Sequence, residues 1–255
     1  MEILLLFAAG FVGGILNSLA GGGSFIVFPA LLLSGVPPVI ANATNTFAAL
    51  PGYISGAFGY RRDILKYRTK LVPYALAALI GGYFGADLLL KVDDAQFSLV
   101  VPWLMGLAVF LFAFGGRISA WFAARSSGTA RNARIGSILL LALLALICLY
   151  GGFFNAGLGI ILLAFFALAG FGNDIHAMNG IKLTISTIVA AVAVIRFAAS
   201  GSIAWYEGTL AFAGTVTGGY LAARLAHLIP PQMLRMAIIV YGLILTLVFF
   251  WRAYA

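Results

Sequence analysis

The sequence predicts an all-α integral membrane protein of two repeats, each with about five helical segments, four spanning and one short, the second repeat inverted. Three observations lead there. Of 255 residues, 63% are hydrophobic, while 15 are Lys or Arg and 7 are Asp or Glu. A soluble domain carries about a quarter charged residues, so this chain has too little charge to cover a water-facing surface. The apolar residues fall in long runs separated by short polar stretches. The chain also matches itself when shifted by 137 residues. Together these exclude an ordinary soluble domain and a disordered chain, and leave the lipid bilayer as the solvent.

Eight runs have spanning length: Ile3 to Leu19, Val39 to Gly59, Leu71 to Leu90, Phe97 to Phe114, Ser137 to Phe154, Ile175 to Ala199, Thr209 to Leu228 and Met233 to Trp251. Two shorter runs, Phe25 to Leu33 and Ile160 to Ala169, each follow a glycine-rich break, Gly21-Gly22-Gly23-Ser24 and Gly157-Leu158-Gly159. A helix of that length reaches about half way across a bilayer, at roughly 1.5 Å per residue. These read as half-helices that stop inside the membrane, where irregular backbone is tolerated only beside protein or a water-filled cavity. A glycine kink packed on a neighbouring helix is the plainer reading. The start, Met1-Glu2-Ile3-Leu4, lacks a basic stretch before its apolar run, so no cleaved signal peptide is expected.

The shift places Gly22 on Gly159, Phe28 on Phe165, Gly35 on Gly172, Asn42 on Asn179, Asn45 on Lys182 and Gly81-Gly82-Tyr83 on Gly218-Gly219-Tyr220. One gap brings Asn17 onto Asn155. Doubled chains with helix breaks at matching places mark many secondary transporters. The domains are then 1–116, a first repeat; 117–135, a basic cytoplasmic linker; and 136–255, a second repeat.

Charge sets the orientation. Arg61, Arg62, Lys66, Arg68 and Lys70 lie in one loop, and Arg117, Arg125, Arg131 and Arg134 in the linker. Basic loops stay cytoplasmic. The counterpart of the first loop, around Gly201 to Gly208, has no basic residue and carries Glu207, whereas Lys91, Asp93 and Asp94 face Arg224, His227 and Arg235 across the repeat. This fits inverted halves with both termini outside. A parallel four-plus-four layout needs the loop near Trp205 to be cytoplasmic, against the charges. The net charge of +8 is therefore mainly a topology signal, and no nucleic-acid partner is expected.

Inside the runs the chemistry is sparse. Lys182 is the one cation well inside a segment, and the nearest acid in sequence, Asp174, is eight positions earlier. An intramembrane charge is costly and marks a functional site unless it snorkels to a helix end or finds a distant acid. Asn179 and Lys182, like Asn42 and Asn45, are spaced i, i+3 and share a helix face. Thr44 adds a donor, Ser24 stands where a helix N-cap belongs, and half-helix N-termini favour anions. Asn17, Gly22, Gly23, Ser24, Asn42, Thr44, Asn45, Asn155, Gly157, Gly159, Asn179 and Lys182 form the expected substrate-binding set. A donor-rich pocket of this kind suits a small oxyanion better than a metal or a sugar. No metal cluster, no cofactor and no catalytic residue are expected: Cys148 is the single cysteine, and His176 and His227 are isolated. Gly21-Gly22-Gly23-Ser24 is not a phosphate loop, because no strand precedes it and no Lys follows.

Gly13-Gly14, Asn17 and Ala20-Gly21-Gly22-Gly23-Ser24, then Pro29, Gly35 and Ala43-Thr44-Asn45, resemble the TauE/SafE family of sulfite-exporter-like membrane permeases. Gly151-Gly152, Gly157-Leu158-Gly159, Ala177 and Lys182 resemble its second repeat. The resemblance covers almost the whole chain. It implies a multi-pass protein of the cell inner (plasma) membrane that exports sulfite, organosulfonates or related sulfur anions, coupled to protons or to the membrane potential. The second break, Gly157-Leu158-Gly159, is thinner than the first, so the two half-sites are expected to contribute unequally. An anion channel and a non-transporting scaffold subunit are the other readings. Gly81-Gly82 and Gly218-Gly219 can pack within one chain or pair two chains as a homodimer.

Overall fold

The computed structural model describes residues 2–19, 22–125, 133–169, 171, 174–225 and 231–254. Met1, Ala20, Gly21, Arg131, Gly172, His227 and Leu228, each named above, lie outside the described residues. The described chain is helical: α1 (Glu2–Leu19), α2 (Ser24–Leu33), α3 (Pro38–Gly59), α4 (Arg61–Leu65), α5 (Arg68–Leu89), α6 (Asp94–Arg125), α7 (Ala133–Phe153), α8 (Leu158–Leu168), α9 (Ile175–Ala199), α10 (Trp205–Leu225) and α11 (Pro231–Tyr254). Each of the eight long runs has its described residues mainly on a long helix, and the two short runs correspond to α2 and α8, with 10 and 11 residues. Among the described residues, four stretches are long and apolar enough to cross a membrane: Arg68–Leu89, Asp94–Gly115, His176–Ala199 and Met236–Tyr254. Eight were expected. Of the helices that carry the other runs, α1 and α7 present shorter described apolar stretches, Glu2–Ser18 and Ile138–Phe153, whereas α3 and α10 are long enough, at 22 and 21 residues. Their Asn, Thr and Gly residues lower their hydropathy, and α3 buries Ala41 to Thr46 against protein.

The short α4 was not expected. It starts right after α3, with Tyr60 accepting from the backbone N–H groups of Asp63 and Ile64. The linker stretch 117–135 holds the end of α6 and the start of α7.

Helix ends follow local rules. Pro38 opens α3, where its missing N–H costs nothing, and the Asp94 carboxylate accepts from Val39 N at 2.8 Å. After α2, Gly35 takes φ +80° while its N–H and that of Val36 bond back to Leu32 and Leu31. After α9, Gly201 at φ +69° repeats the motif, with Ser202 N on Phe197 O. Glycine takes the left-handed turn that closes such ends without a Cβ penalty.

Helix pairs are decided by small residues. Gly10 of α1 lies on the Ala211 backbone of α10, and Gly14 on Thr215 and Gly219, so the two helices run parallel. Gly81 of α5 lies on Ala145 and Leu149 of α7, and Gly85 on Leu149 and Phe153, again parallel. The pairs are related by the repeat: Gly14 meets Gly219 and Gly152 meets Gly82, while Phe11 meets Gly218 and Leu149 meets Gly81. By contrast, α3 runs antiparallel to α9, with Gly56 on Leu183 and Tyr60 on Gly180. The same holds for α6 and α11, where Val109 meets Gly242, Gly106 meets Thr246, and Trp103 Nε1 donates to Tyr254 OH at 3.0 Å. Lipid tails offer no hydrophobic drive between helices, so close backbone approach at small residues supplies the attraction. Gly81, Gly82, Gly218 and Gly219 are thus used inside one chain.

The half-helices are anchored by aromatic rings. Phe28 of α2 packs edge-on against Phe97 and Phe154 and stacks on Phe249. Its repeat partner, Phe165 of α8, packs edge-on against Tyr74 and Phe166. Cys148 is fully buried, as a small apolar side chain would be. The outward side chains are apolar, among them Phe84, Phe110, Leu146 and Leu247, which suits lipid. At one end, Asp87 of α5 takes Arg196 of α9 at 2.8 Å and Lys91 at 2.8 Å.

Candidate substrate site

A tight cavity sits at the start of α2, lined by Gly13, Asn17, Gly23, Ser24, Val27, Asn45, Ala49 and Thr215. Its volume of about 10 Å³ is near the least that holds one water. Four elements build it. Gly13 and Asn17 come from α1, whose glycine lets Gly23 and Val27 close in. Gly23 and Ser24 begin α2, Asn45 and Ala49 come from α3, and Thr215 from α10.

Ser24 does not cap α2, as its place after the glycines had implied. Gly23 is the N-cap, in right-handed helical conformation, and no side chain caps it. The backbone N–H groups of Phe25, Ile26 and Val27 bond to Gly22 and Gly23 carbonyls. Ser24 begins the helix, and its hydroxyl instead accepts from Asn45 Nδ2 at 3.1 Å. The other amide atom, Asn45 Oδ1, is buried with no partner, in a residue only 2% exposed. Such a group is costly to leave unpaired. Amide oxygen and nitrogen exchange places by a half-turn, so Asn45 presents either a spare acceptor or a spare donor here.

The other first-half residues take different work. Asn42 Nδ2 donates to the Phe153 carbonyl at 2.7 Å, tying α3 to the end of α7, and Asn42 Oδ1 is buried unpaired. Thr44 Oγ1 accepts from Ala204 N at 3.0 Å and so holds the start of α10. Gly22 packs on Ile238 of α11.

In the second half, Lys182 donates from Nζ to Asn179 Oδ1 at 3.1 Å, within α9. Its stem runs beside Gly159, where a Cβ would stand 3.4 Å from Lys182 Cδ. Among the described residues no carboxylate lies within ion-pair distance of Lys182. Gly157 caps α8 at φ +79°, with Ala108 where a side chain would go. Asn155 is buried, accepts from Tyr53 OH at 3.4 Å, and leaves its Nδ2 unpaired. The structure thus groups Asn17, Gly23, Ser24 and Asn45 around the cavity, and Gly159, Asn179 and Lys182 at the start of α8 and α9. Lys182 does not line the cavity.

Sequence reasoning missed Tyr53, Ala49 and Thr215. Tyr53 and Ala49 continue the helical stripe of Asn42 and Asn45 at i+4 steps, a signal the apolar composition of α3 concealed. On this stripe, Asn42 and Tyr53 reach toward Phe153 and Asn155, while Asn45 and Ala49 face the cavity. Thr215 had no local signal: it reaches the cavity because α10 packs on α1. His176 is exposed in the first turn of α9, its ring 6.1 Å from that of Tyr60.

A protein of Haemophilus influenzae named "Probable membrane transporter protein" is 28% identical over 96% of this chain and 92% of its own length. One from Sinorhizobium, named "Probable membrane transporter protein ORF9", is 31% identical over 88% of this chain and 83% of its own length. An Arabidopsis thaliana "Sulfite exporter TauE/SafE family protein 3" is 29% identical over 44% of this chain and 24% of its own length. No solved structure gives a significant match. The model of the family described as "Sulfite exporter TauE/SafE" matches residues 6–249. With four described helices long and apolar enough to cross a membrane and that match across nearly its whole length, the chain is a membrane protein and belongs to the sulfite exporter TauE/SafE family.

Proposed function

We propose that this protein is a secondary transporter, working as an exporter, that moves small sulfur-containing anions such as sulfite or organosulfonates across the inner membrane by alternating access. The observation that carries the reading is the cavity at the start of α2. It is lined in part by hydroxyl- and amide-bearing side chains, among them Asn45, whose Oδ1 is buried without a partner, and it is too tight in this conformation for an oxyanion. Substrate therefore needs the surrounding helices to part, which favours a moving carrier over an open pore. Asn17, Gly22, Gly23, Ser24, Asn42, Thr44 and Asn45 supply or shape neutral contacts in the first half. Asn155, Gly157, Gly159 and Asn179 do so in the second, and Lys182 supplies the charge.

The inverted repeat belongs to the same proposal. Its support is that repeat-equivalent helices, α3 with α9 and α6 with α11, run antiparallel, while the related pairs α1 with α10 and α5 with α7 each run parallel. Residues 1–116 and 136–255 are then interlocked halves joined by a cytoplasmic stretch, 117–135, rather than separately folding domains. Reporter fusions after Asp63, Asp93, Trp205 and Pro231 are expected to read inside, outside, outside and inside. An inside signal at Trp205 would rule out the inverted layout.

The function is tested by flux in reconstituted vesicles with sulfite, sulfoacetate, taurine, thiosulfate and sulfate. Saturating exchange, stimulated by substrate on the far side, is expected for one or more sulfur anions. Unitary currents would establish a channel instead, and neither flux nor binding of any member would leave a scaffold.

A further inference from the structure

The stretch from Phe58 to Lys70 joins α3 to α5 and has two faces. Arg61, Arg62, Lys66 and Arg68 are exposed, beside the exposed apolar side chains of Phe58 (66%) and Leu65 (65%). The acid in this stretch, Asp63, is engaged by Lys66 at 2.7 Å, and that ammonium holds its carboxyl below the usual carboxylate range. Arg61 bonds the Phe58 carbonyl and lies 4.4 Å over its ring. Among the described residues, Arg62 and Arg68 make no side-chain hydrogen bond or ion pair.

The inner face grips the second half. Ile64 and Tyr60 pack on Gly180, between Asn179 and Lys182, and a Cβ at that glycine would stand 2.7 Å from Ile64. Lys70 Nζ donates to the Ala169 carbonyl just past α8 at 3.4 Å and stands 4.4 Å over the Phe171 ring. One short element therefore touches the start of α9 and the end of α8.

We infer that Arg61, Arg62, Lys66 and Arg68 form a binding site for anionic phospholipid headgroups of the surrounding bilayer, and that lipid held there braces the turn of α9 bearing Asn179 and Lys182. The occupant follows from charge and place. The element links the ends of two membrane helices, so its apolar side chains enter the headgroup region while its guanidinium and ammonium groups meet lipid phosphates. Guanidinium favours phosphate because its planar fork donates two parallel bonds.

The test uses full-length protein in neutral detergent, titrated with phosphatidylglycerol or chain-matched phosphatidylcholine. Bound lipid is counted by native mass spectrometry, and amide exchange is followed over 176–184. Phosphatidylglycerol is expected to bind and to slow exchange there, and phosphatidylcholine to do neither. The double variant Arg62→Gln/Arg68→Gln, which breaks no contact seen in the structure, is expected to weaken binding by about fivefold per charge removed. Arg252→Gln, at the far end of α11, is expected to bind as the parent does. Equal binding by the double variant, or full protection by soluble glycerol phosphate, would overturn the lipid site. Binding without slowed exchange would overturn the bracing. None of these readouts depends on transport.

Discussion

Lys182→Met is expected to lower sulfur-anion flux roughly tenfold to hundredfold in reconstituted vesicles while the protein still folds. A hydrogen bond to a charged partner contributes about 1.5–3 kcal/mol, and about 1.4 kcal/mol is a factor of ten. Methionine keeps the apolar stem that runs beside Gly159 and removes only the ammonium and its bond to Asn179 Oδ1. Among the described residues no acid loses an ion pair by the change. Lys182→Ala removes stem and charge together, so it should lose flux to the same extent and stability besides. The two variants separate charge from packing. Parental flux in Lys182→Met would mean that the lysine serves only to fill space beside α8, and the anion-binding role would fall.

Gly218→Leu is expected to abolish the folded protein, measured as loss of the monodisperse peak in size-exclusion chromatography. A Cβ at Gly218 would clash with the Phe11 carbonyl of α1, which is backbone and cannot rotate aside. Overpacking a core usually costs about 1–3 kcal/mol because side chains shift. Here two helix backbones must separate, which also breaks the neighbouring contacts of Gly10, Gly14 and Gly214. Gly81→Leu should fail in the same way at the equivalent crossing of α5 and α7, where the Ala145 carbonyl stands in the path. Gly59→Ala is the control: nothing lies within 4 Å of the added Cβ at the end of α3, and the variant should fold normally. A folded, stable Gly218→Leu would contradict the close α1–α10 crossing.

Much of the fold was legible because bilayer physics acts on local sequence. Lipid demands long apolar runs and leaves glycine breaks conspicuous, so α2 and α8 could be placed within two residues of their observed starts. The repeat showed Gly81-Gly82 and Gly218-Gly219 as equivalents, yet not what they touch. The candidate site was legible in type more than in arrangement. Asn45 and Ser24 were singled out separately and are bonded to each other. Asn42 and Thr44 were singled out as donors to a ligand, but in this conformation they tie α3 to Phe153 and Ala204. The short α4 escaped notice because it packs through Ile64 alone, and five residues carry no readable period.

Composition, run length and self-similarity thus settled the solvent, the long helices, the two glycine breaks and the pool of polar side chains. These are properties of neighbours along the chain and of its bulk charge. Which polar groups meet was decided only in the folded molecule. Tyr53 finds Asn155 across 102 positions and Asn42 finds Phe153 across 111. Thr215 reaches the cavity only because glycines let α1 and α10 touch backbone to backbone. Contacts at such separations leave no mark on helical periodicity. In lipid they follow from how closely small residues allow helices to approach.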